Sequence, residues 1–222
     1  MFYLGEFLML EDEFGMHYSC IFATRRWLEP EIELTLEGLY LTQRPHHFEG
    51  KSDNDVQGFM AVRTTYYLPR GLNNIFPNLV RLTVKFKGLK KINRGDLVGL
   101  ESLEILELSG NKLVTLPNDL FADMKKLRAI DFSHNNLGCM SSKLLKPVRC
   151  TLESARFNEN TTINVRFKLG TTDTWAKLIK AIDEIHEAPI GEQALNHQQD
   201  TFWNTLFEAG QLKKKNKKKK KF

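Results

Sequence analysis

The chain has 222 residues, of which 41% are hydrophobic, so it can bury the core of one domain and carry an appendage. Eight of its 32 basic residues lie between Lys213 and Lys221, and the other 24 stand against 27 acidic residues, so the body is mildly acidic despite a net charge of +5. No run approaches the roughly 20 apolar residues of a membrane-spanning helix, so the sequence predicts no transmembrane segment.

The first 14 residues, MFYLGEFLMLEDEF, are partly apolar but lack the pattern of an export signal. Such a signal needs a basic start and an uninterrupted apolar run of about 7–15 residues. This stretch has no Lys or Arg, and Glu6 interrupts its apolar part. The sequence therefore predicts no signal peptide at Met1.

Two strand-like segments follow, MHYSCIFA (16–23) and IELTLEGLYLT (32–42). They are rich in β-branched and aromatic residues, and the second alternates apolar and polar positions, which favours strands. We therefore predict an N-terminal β cap over residues 1–55.

A repeat begins after this cap. Leu103, Leu106, Leu108, Asn111 and Leu113 have a spacing that fits neither a plain helix nor a plain strand. It fits one coil of a solenoid, in which a short strand turns into a returning arc. Similar spacings start near residues 56, 79, 103, 127 and 152, and steps of 23 to 25 residues are a strong repeat signal.

This pattern resembles the leucine-rich-repeat family. The core LxxLxLxxNxL is complete from Leu103 and, with Ile130 and Phe132 substituted, from Leu127. In addition, His47, the run 50–52 and the run 54–56 resemble a segment that precedes the first repeat in small secreted insect (dipteran-type) members. The resemblance implies an α/β solenoid of about five coils over residues 56–168, with parallel strands on its concave face and a cap at each end. It also implies an extracellular, non-catalytic module that binds a protein or peptide, with insect defence as one role.

Asn111, Asn135 and Asn160 each lie eight residues after the first apolar residue of a repeat. A side-chain amide both donates and accepts, so it can satisfy backbone groups that the sharp turn leaves inside the coil. These residues predict a structural ladder rather than a ligand site. The matching position of an earlier repeat is Lys87, where the ladder should end.

Strand side chains alternate, so residues beside the inward apolar ones should face the concave side. Their charges run basic, acidic, basic, which predicts a partner with the order acidic, basic, acidic. No aromatic stack or broad basic stripe indicates nucleic acid on this face. The predicted partner-binding residues are Arg81, Thr83, Lys85, Ile105, Glu107, Ser109, Ala129, Asp131, Ser133, Ser154, Arg156 and Asn158.

Nucleotide and metal sites are not predicted. Gly50-Lys51-Ser52 matches the end of a phosphate-binding loop, but Pro45 stands where that loop needs a glycine. His46 and His47 are adjacent, so their side chains should point to opposite faces of an extended chain. The sequence therefore predicts neither a metal nor a cofactor.

Catalysis is not predicted either. A nucleophile needs a base and an orienting group, but Asp131 should face the concave side while His134 and Cys139 follow in the loop. Cys139 and Cys150 are 11 residues apart in one coil, close enough for a disulfide. The alternative is that both are free thiols.

Residues 171–188 predict a C-terminal capping helix. Thr172 or Asp173 can cap its start, and Pro189 with Gly191 ends it. Its apolar stripe should close the last coil or, alternatively, bind a partner helix. The stripe consists of Trp175, Leu178, Ile179, Ile182 and Ile185.

Residues 190–212 allow a second helix, and residues 213–222 predict a disordered Lys-rich tail because like charges repel and nothing is buried. The tail opens an alternative to the extracellular binding module. In that alternative the protein is cytoplasmic or nuclear, and its tail associates with nucleic acid or an anionic membrane.

Overall fold

The computed structural model describes residues 3–24, 46–61, 66–85, 88–138 and 140–186. All of them belong to one compact unit, Met1–Glu187. The predicted cap strand 32–42, the possible helix 190–212, the tail 213–222, Lys87 and Cys139 lie outside the described residues.

The described strands form one sheet of eight, in the order of the chain. Strands β2 to β7 run parallel to their neighbours, while β1 and β8 pair antiparallel at the two ends. The strands are β1 (Tyr3–Asp12), β2 (Gly15–Thr24), β3 (Gly58–Ala61), β4 (Arg81–Val84), β5 (Ile105–Glu107), β6 (Ala129–Asp131), β7 (Ser154–Arg156) and β8 (Arg166–Lys168). The predicted α/β repeat solenoid with a parallel sheet is confirmed.

Register explains why the strand residues divide into inward and outward columns. Leu82 pairs with Leu106, and Leu106 pairs with Ile130, so leucine-type side chains stack along the sheet. These three are at most 1% exposed. The residues on either side of this column therefore point away from the core, onto the concave face.

The arcs between strands contain short helical turns rather than long helices. Helix α1 is Leu72–Ile75, and 3-10 helices cover Asp53–Asp55, Arg94–Leu97 and Ser142–Val148. Their apolar residues complete the core, in which Phe132 and Phe157 stack with ring centroids 5.8 Å apart.

The asparagine side chains link successive coils. The Oδ1 atoms of Asn111, Asn135 and Asn160 accept hydrogen bonds from the backbone N–H groups of Leu89, Leu113 and Leu137, at 3.0, 3.1 and 3.1 Å. Their Nδ2 atoms donate to carbonyl oxygens of the preceding coil and of their own. Each amide therefore satisfies backbone groups that no strand partner reaches.

The N-terminal end differs from the sequence expectation. Residues 3–12 lie within the predicted β cap but were not identified as a strand; they form β1 and pair with β2 in an antiparallel hairpin of ten residue pairs. Only Ser19–Phe22 of β2 pair with β3, so the turn of the hairpin extends beyond the sheet ladder. The β-branched and aromatic residues of MHYSCIFA (16–23) indicated a strand, and this segment lies within β2.

Helix α2 (Trp175–His186) closes the last coil. Leu178 and Ile182 are fully buried, and Trp175 packs edge-on against Phe167 at 5.6 Å. The prediction that Thr172 or Asp173 caps this helix was wrong. The Thr174 side chain accepts a hydrogen bond from the backbone N–H of Lys177, and the Thr174 carbonyl accepts one from the backbone N–H of Leu178. Among the described residues, no helix is both long and apolar enough to cross a membrane.

Candidate protein-binding face

The twelve predicted face residues all lie on the concave strands or directly after them, but most are not exposed. Arg156 is the most open of the set, and Lys85, Glu107 and Asn158 are half-buried. The other eight are buried, namely Arg81, Thr83, Ile105, Ser109, Ala129, Asp131, Ser133 and Ser154. The accessible part of the face is therefore smaller than strand alternation alone predicts.

Charges on the face pair with one another. Glu107 accepts a hydrogen bond from Thr83 at 3.1 Å and lies 2.9 Å from the ammonium of Lys85. Asp131 accepts a hydrogen bond from the Ser133 hydroxyl at 2.6 Å, and Arg156 lies 3.8 Å away from it. These charges are therefore partly compensated within the chain, and the order of charges expected on a partner stays a prediction.

The turn of the β1–β2 hairpin reaches over this face. We call residues 12–15, Asp12-Glu13-Phe14-Gly15, the hairpin tip. Asp12 forms an ion pair with Arg81, and Glu13 lies 3.3 Å from a guanidinium nitrogen of Arg156 and 3.2 Å from the ammonium of Lys168. The tip thus contacts strands that are up to 155 residues distant in the chain.

An aromatic ring adds to these ion pairs. The Phe14 ring lies 5.8 Å from the guanidinium carbon of Arg81 and 5.3 Å from that of Arg128. The Arg128 guanidinium donates hydrogen bonds to Glu153 and Glu104, which raise the pKa of Arg128 and hold its guanidinium beside the ring. We call the four basic residues that contact the tip, Arg81, Arg128, Arg156 and Lys168, the tip site.

Sequence reasoning missed the tip, although a signal was present. Two apolar, strand-like segments flank the polar turn Asp12-Glu13-Phe14-Gly15, which is typical of a hairpin. Gly15 has a φ of +107°, a conformation that favours glycine at such a turn.

A polar, buried group of side chains lies beside the tip at the start of the sheet. Burial lowers the pKa of His17, and the neighbouring Arg81 lowers it further. The hydroxyl of Ser19 and the Nε atom of Arg81 are buried and have no hydrogen-bond partner among the described residues. A Cβ at Gly58 would lie 2.1 Å from the Ser19 hydroxyl, so this close approach requires glycine.

The histidine and Gly-Lys-Ser segment has a structural role in the described residues. Ser52 precedes a 3-10 helix that ends at Asp55, and its backbone N–H and hydroxyl both donate to the Asp55 carboxylate at 2.9 Å. The His47 ring stacks on Phe7 with centroids 3.9 Å apart and hydrogen-bonds to Tyr18. No group of three or more His, Cys, Asp or Glu suited to a metal occurs in the described part of the chain.

The cysteines differ in environment. Burial raises the pKa of the Cys20 thiol to about 12, so it stays protonated and unreactive. Cys150 is exposed and has no disulfide partner among the described residues. Since Cys139 lies outside them, the Cys139–Cys150 bridge stays a prediction.

A family model, a curated relative and a solved structure are similar to parts of this chain. Residues 77–137 match the family model described as "Leucine rich repeat". A relative is human "Leucine-rich repeat-containing protein 66", 38% identical over 69 residues that cover 31% of this chain and 8% of that protein. A chain in the structure of the Toll–Spatzle complex from Drosophila is 20% identical with a TM-score of 0.47, over 63% of this chain and 17% of that chain.

The chain thus spans only a small part of both of these proteins. The family match contains three of the predicted repeat starts, near residues 79, 103 and 127. It includes the complete LxxLxLxxNxL core that begins at Leu103. Together with the parallel strand register, the family match and the human relative support a leucine-rich-repeat protein.

Proposed function

We propose that this chain is a non-catalytic protein-binding module that recognises a protein or peptide through its concave face. Leucine-rich-repeat domains generally mediate protein binding and are typically not enzymes. The supporting observation is the column Thr83, Glu107, Asp131 and Arg156, whose positions are fixed by strand pairing. Polar groups held by a core lose little conformational entropy when a partner docks on them.

An extracellular location and a role in insect defence are the finer part of the proposal. They rest on the resemblance of His47 and of the runs 50–52 and 54–56 to small secreted insect proteins. Binding by the concave face does not depend on the location or on the defence role, so it can be tested with purified protein.

The test is affinity capture from an extract, quantified by mass spectrometry, with two variants of equal charge change. The face variant is Lys85→Glu with Arg156→Glu. The control variant is Lys143→Glu with Lys146→Glu, two exposed residues on the 3-10 helix outside the sheet. Like charges across an interface cost several kcal/mol, so proteins bound by wild type and control should be depleted at least tenfold with the face variant.

Equal capture by all three proteins would refute the proposal. A fourth arm removes residues 213–222, which should leave capture intact at high and low salt. Capture that is lost with the tail, and that weakens steeply with salt, would instead favour association through the lysines.

A further inference from the structure

The hairpin tip contacts the concave face as a ligand would, rather than as part of the core. Its charged side chains and the basic groups they meet are for the most part 38–58% exposed, with Arg81 the buried exception at 10%. A cleft remains between the tip and the strands, bounded by Phe14, Ile105, Ala129 and Ser154. The tip therefore covers the face without filling it.

The tip can leave this position without breaking the sheet. The hairpin is anchored by Ser19–Phe22, which pair with β3, whereas residues 12–17 have no strand partner on that side. The pairs of Glu13 with Arg156 and Lys168 are exposed on both sides, and exposed ion pairs each contribute about 0–1 kcal/mol, so these two contacts of the tip are weak. The pair of Asp12 with the buried Arg81 is the more tightly held contact. Lifting the tip would expose the basic groups of the tip site together.

The chemistry of the tip defines what the site accepts. Two consecutive carboxylates meet guanidinium and ammonium groups, and the aromatic ring that follows lies beside two guanidinium groups. Arginine pairs with carboxylates through a planar fork and also packs on aromatic faces. A ligand for the same four side chains needs both features in a short segment.

We propose that the concave face binds a partner-protein segment with two acidic residues followed by an aromatic one, and that this segment replaces the hairpin tip. The proposal rests on the proposed function and specifies its partner. The tip is then an intramolecular competitor, which keeps the site occupied until a segment of better fit arrives.

The competition has a measurable size. A short tether holds its ligand at an effective concentration of about 1 mM. If the tip segment alone binds with a Kd of about 0.1 mM, the site is covered about ten times more often than it is open. The apparent Kd of an outside ligand is then raised about tenfold.

The experiment uses fluorescence polarisation of a labelled peptide with the sequence of residues 10–17, LEDEFGMH, and the full chain. In a tip-weakened variant, Glu13→Gln with Phe14→Ala, the peptide should bind about tenfold more tightly than in wild type. Adding Arg156→Glu to this variant should weaken binding at least tenfold. A control peptide with Asp12→Lys and Glu13→Lys should not bind the tip-weakened protein.

A milder variant, Glu13→Gln alone, keeps the test decisive if the double change unfolds the hairpin, because Glu13 is exposed and its two ion pairs are lost without loss of packing. It should bind the peptide several-fold more tightly than wild type. Equal affinity in wild type and both variants, or equal binding of the charge-reversed peptide, would overturn the proposal.

Sedimentation distinguishes a partner protein from a second copy of the chain. Wild type should remain monomeric, and a dimer that the peptide dissociates would overturn the assignment to a different protein. The peptide assay needs no natural partner, so its failure leaves the capture experiment unaffected. Conversely, peptide binding with unchanged capture by the face variant would refute the proposed function alone.

Discussion

Replacing Asn135 by alanine tests the ladder that joins the coils. Asn135 is 4% exposed, and its Oδ1 atom accepts the backbone N–H of Leu113 at 3.1 Å. Its Nδ2 atom donates to the carbonyls of Leu108 and Phe132. Those carbonyls also accept from Asn111 and Asn160, at 2.9 and 3.0 Å, so they keep a partner in the variant.

One buried N–H group, that of Leu113, is therefore left unpaired by Asn135→Ala. An unsatisfied buried donor costs about 1–3 kcal/mol, so the free energy of unfolding should fall by about 2 kcal/mol. For a chain of this size that corresponds to a decrease in Tm of roughly 4–8 °C.

Urea denaturation followed by circular dichroism measures the change, with Asn136→Ala as the matched control. The Asn136 side chain is half-buried, and the contact described for this residue is its backbone N–H bond to Leu113. Its substitution should stay within about 0.5 kcal/mol of wild type. Equal midpoints for the two variants would show that the amide ladder does not stabilise the coil.

Three further predictions use single residues. Asn160 begins the sequon Asn-Thr-Thr, but its Nδ2 atom donates to Phe132 at 3.0 Å and Thr162 donates to a carbonyl at 2.7 Å, so intact mass should show little glycan even after secretion with an added signal peptide. Burial lowers the pKa of His17 from 6.5, so below about pH 6.5 the unfolded chain binds the additional proton and stability falls; His17→Gln should flatten this part of a pH series of urea melts. At pH 8 iodoacetamide should label Cys150 in the native chain and leave Cys20 unmodified, and labelling of Cys150 only after reduction would support a bridge.

The repeat could be predicted from the sequence because each coil has the same spacing of apolar residues, and that spacing is a local property of the chain. Leu103, Leu106 and Leu108 must all reach one core, and only a short strand followed by an arc satisfies that spacing. The asparagines follow for the same reason, since a tight turn leaves backbone groups that an amide can reach. Local chemistry therefore decides both features, and distant residues are not needed.

The start of helix α2 could not be fixed in this way. Thr172, Asp173 and Thr174 are consecutive, and each has a side-chain oxygen that can accept from a helix N terminus. Which one does so depends on where Trp175 and Leu178 pack against the last coil. Tertiary packing selected Thr174, two residues after the first candidate.

The hairpin tip shows a different limit. An apolar stretch ending in acidic residues is compatible with a strand, and its contacts with Arg156 and Lys168 span 143 and 155 residues. Composition and periodicity contain no information about such pairs. Strand alternation identifies which residues of each strand share one side of the sheet, yet the exposure of those residues depends on a segment from the other end of the unit.

This dependence changes how affinity on the face should be understood. A partner cannot simply add ion pairs to free charges, because Arg81 and Arg156 already face carboxylates of the tip and Glu107 and Asp131 already face basic or hydroxyl groups. Binding then replaces ion pairs within the chain by ion pairs with the partner. The net binding free energy is the difference between these two similar contributions. Discrimination between partners follows from the arrangement of the groups, since a segment that pairs only one of the two arginines leaves the other without the carboxylate it had. The exposed ion pairs of the tip cost little to give up, so the face can remain covered and still respond to a segment that places both carboxylates and its aromatic ring correctly.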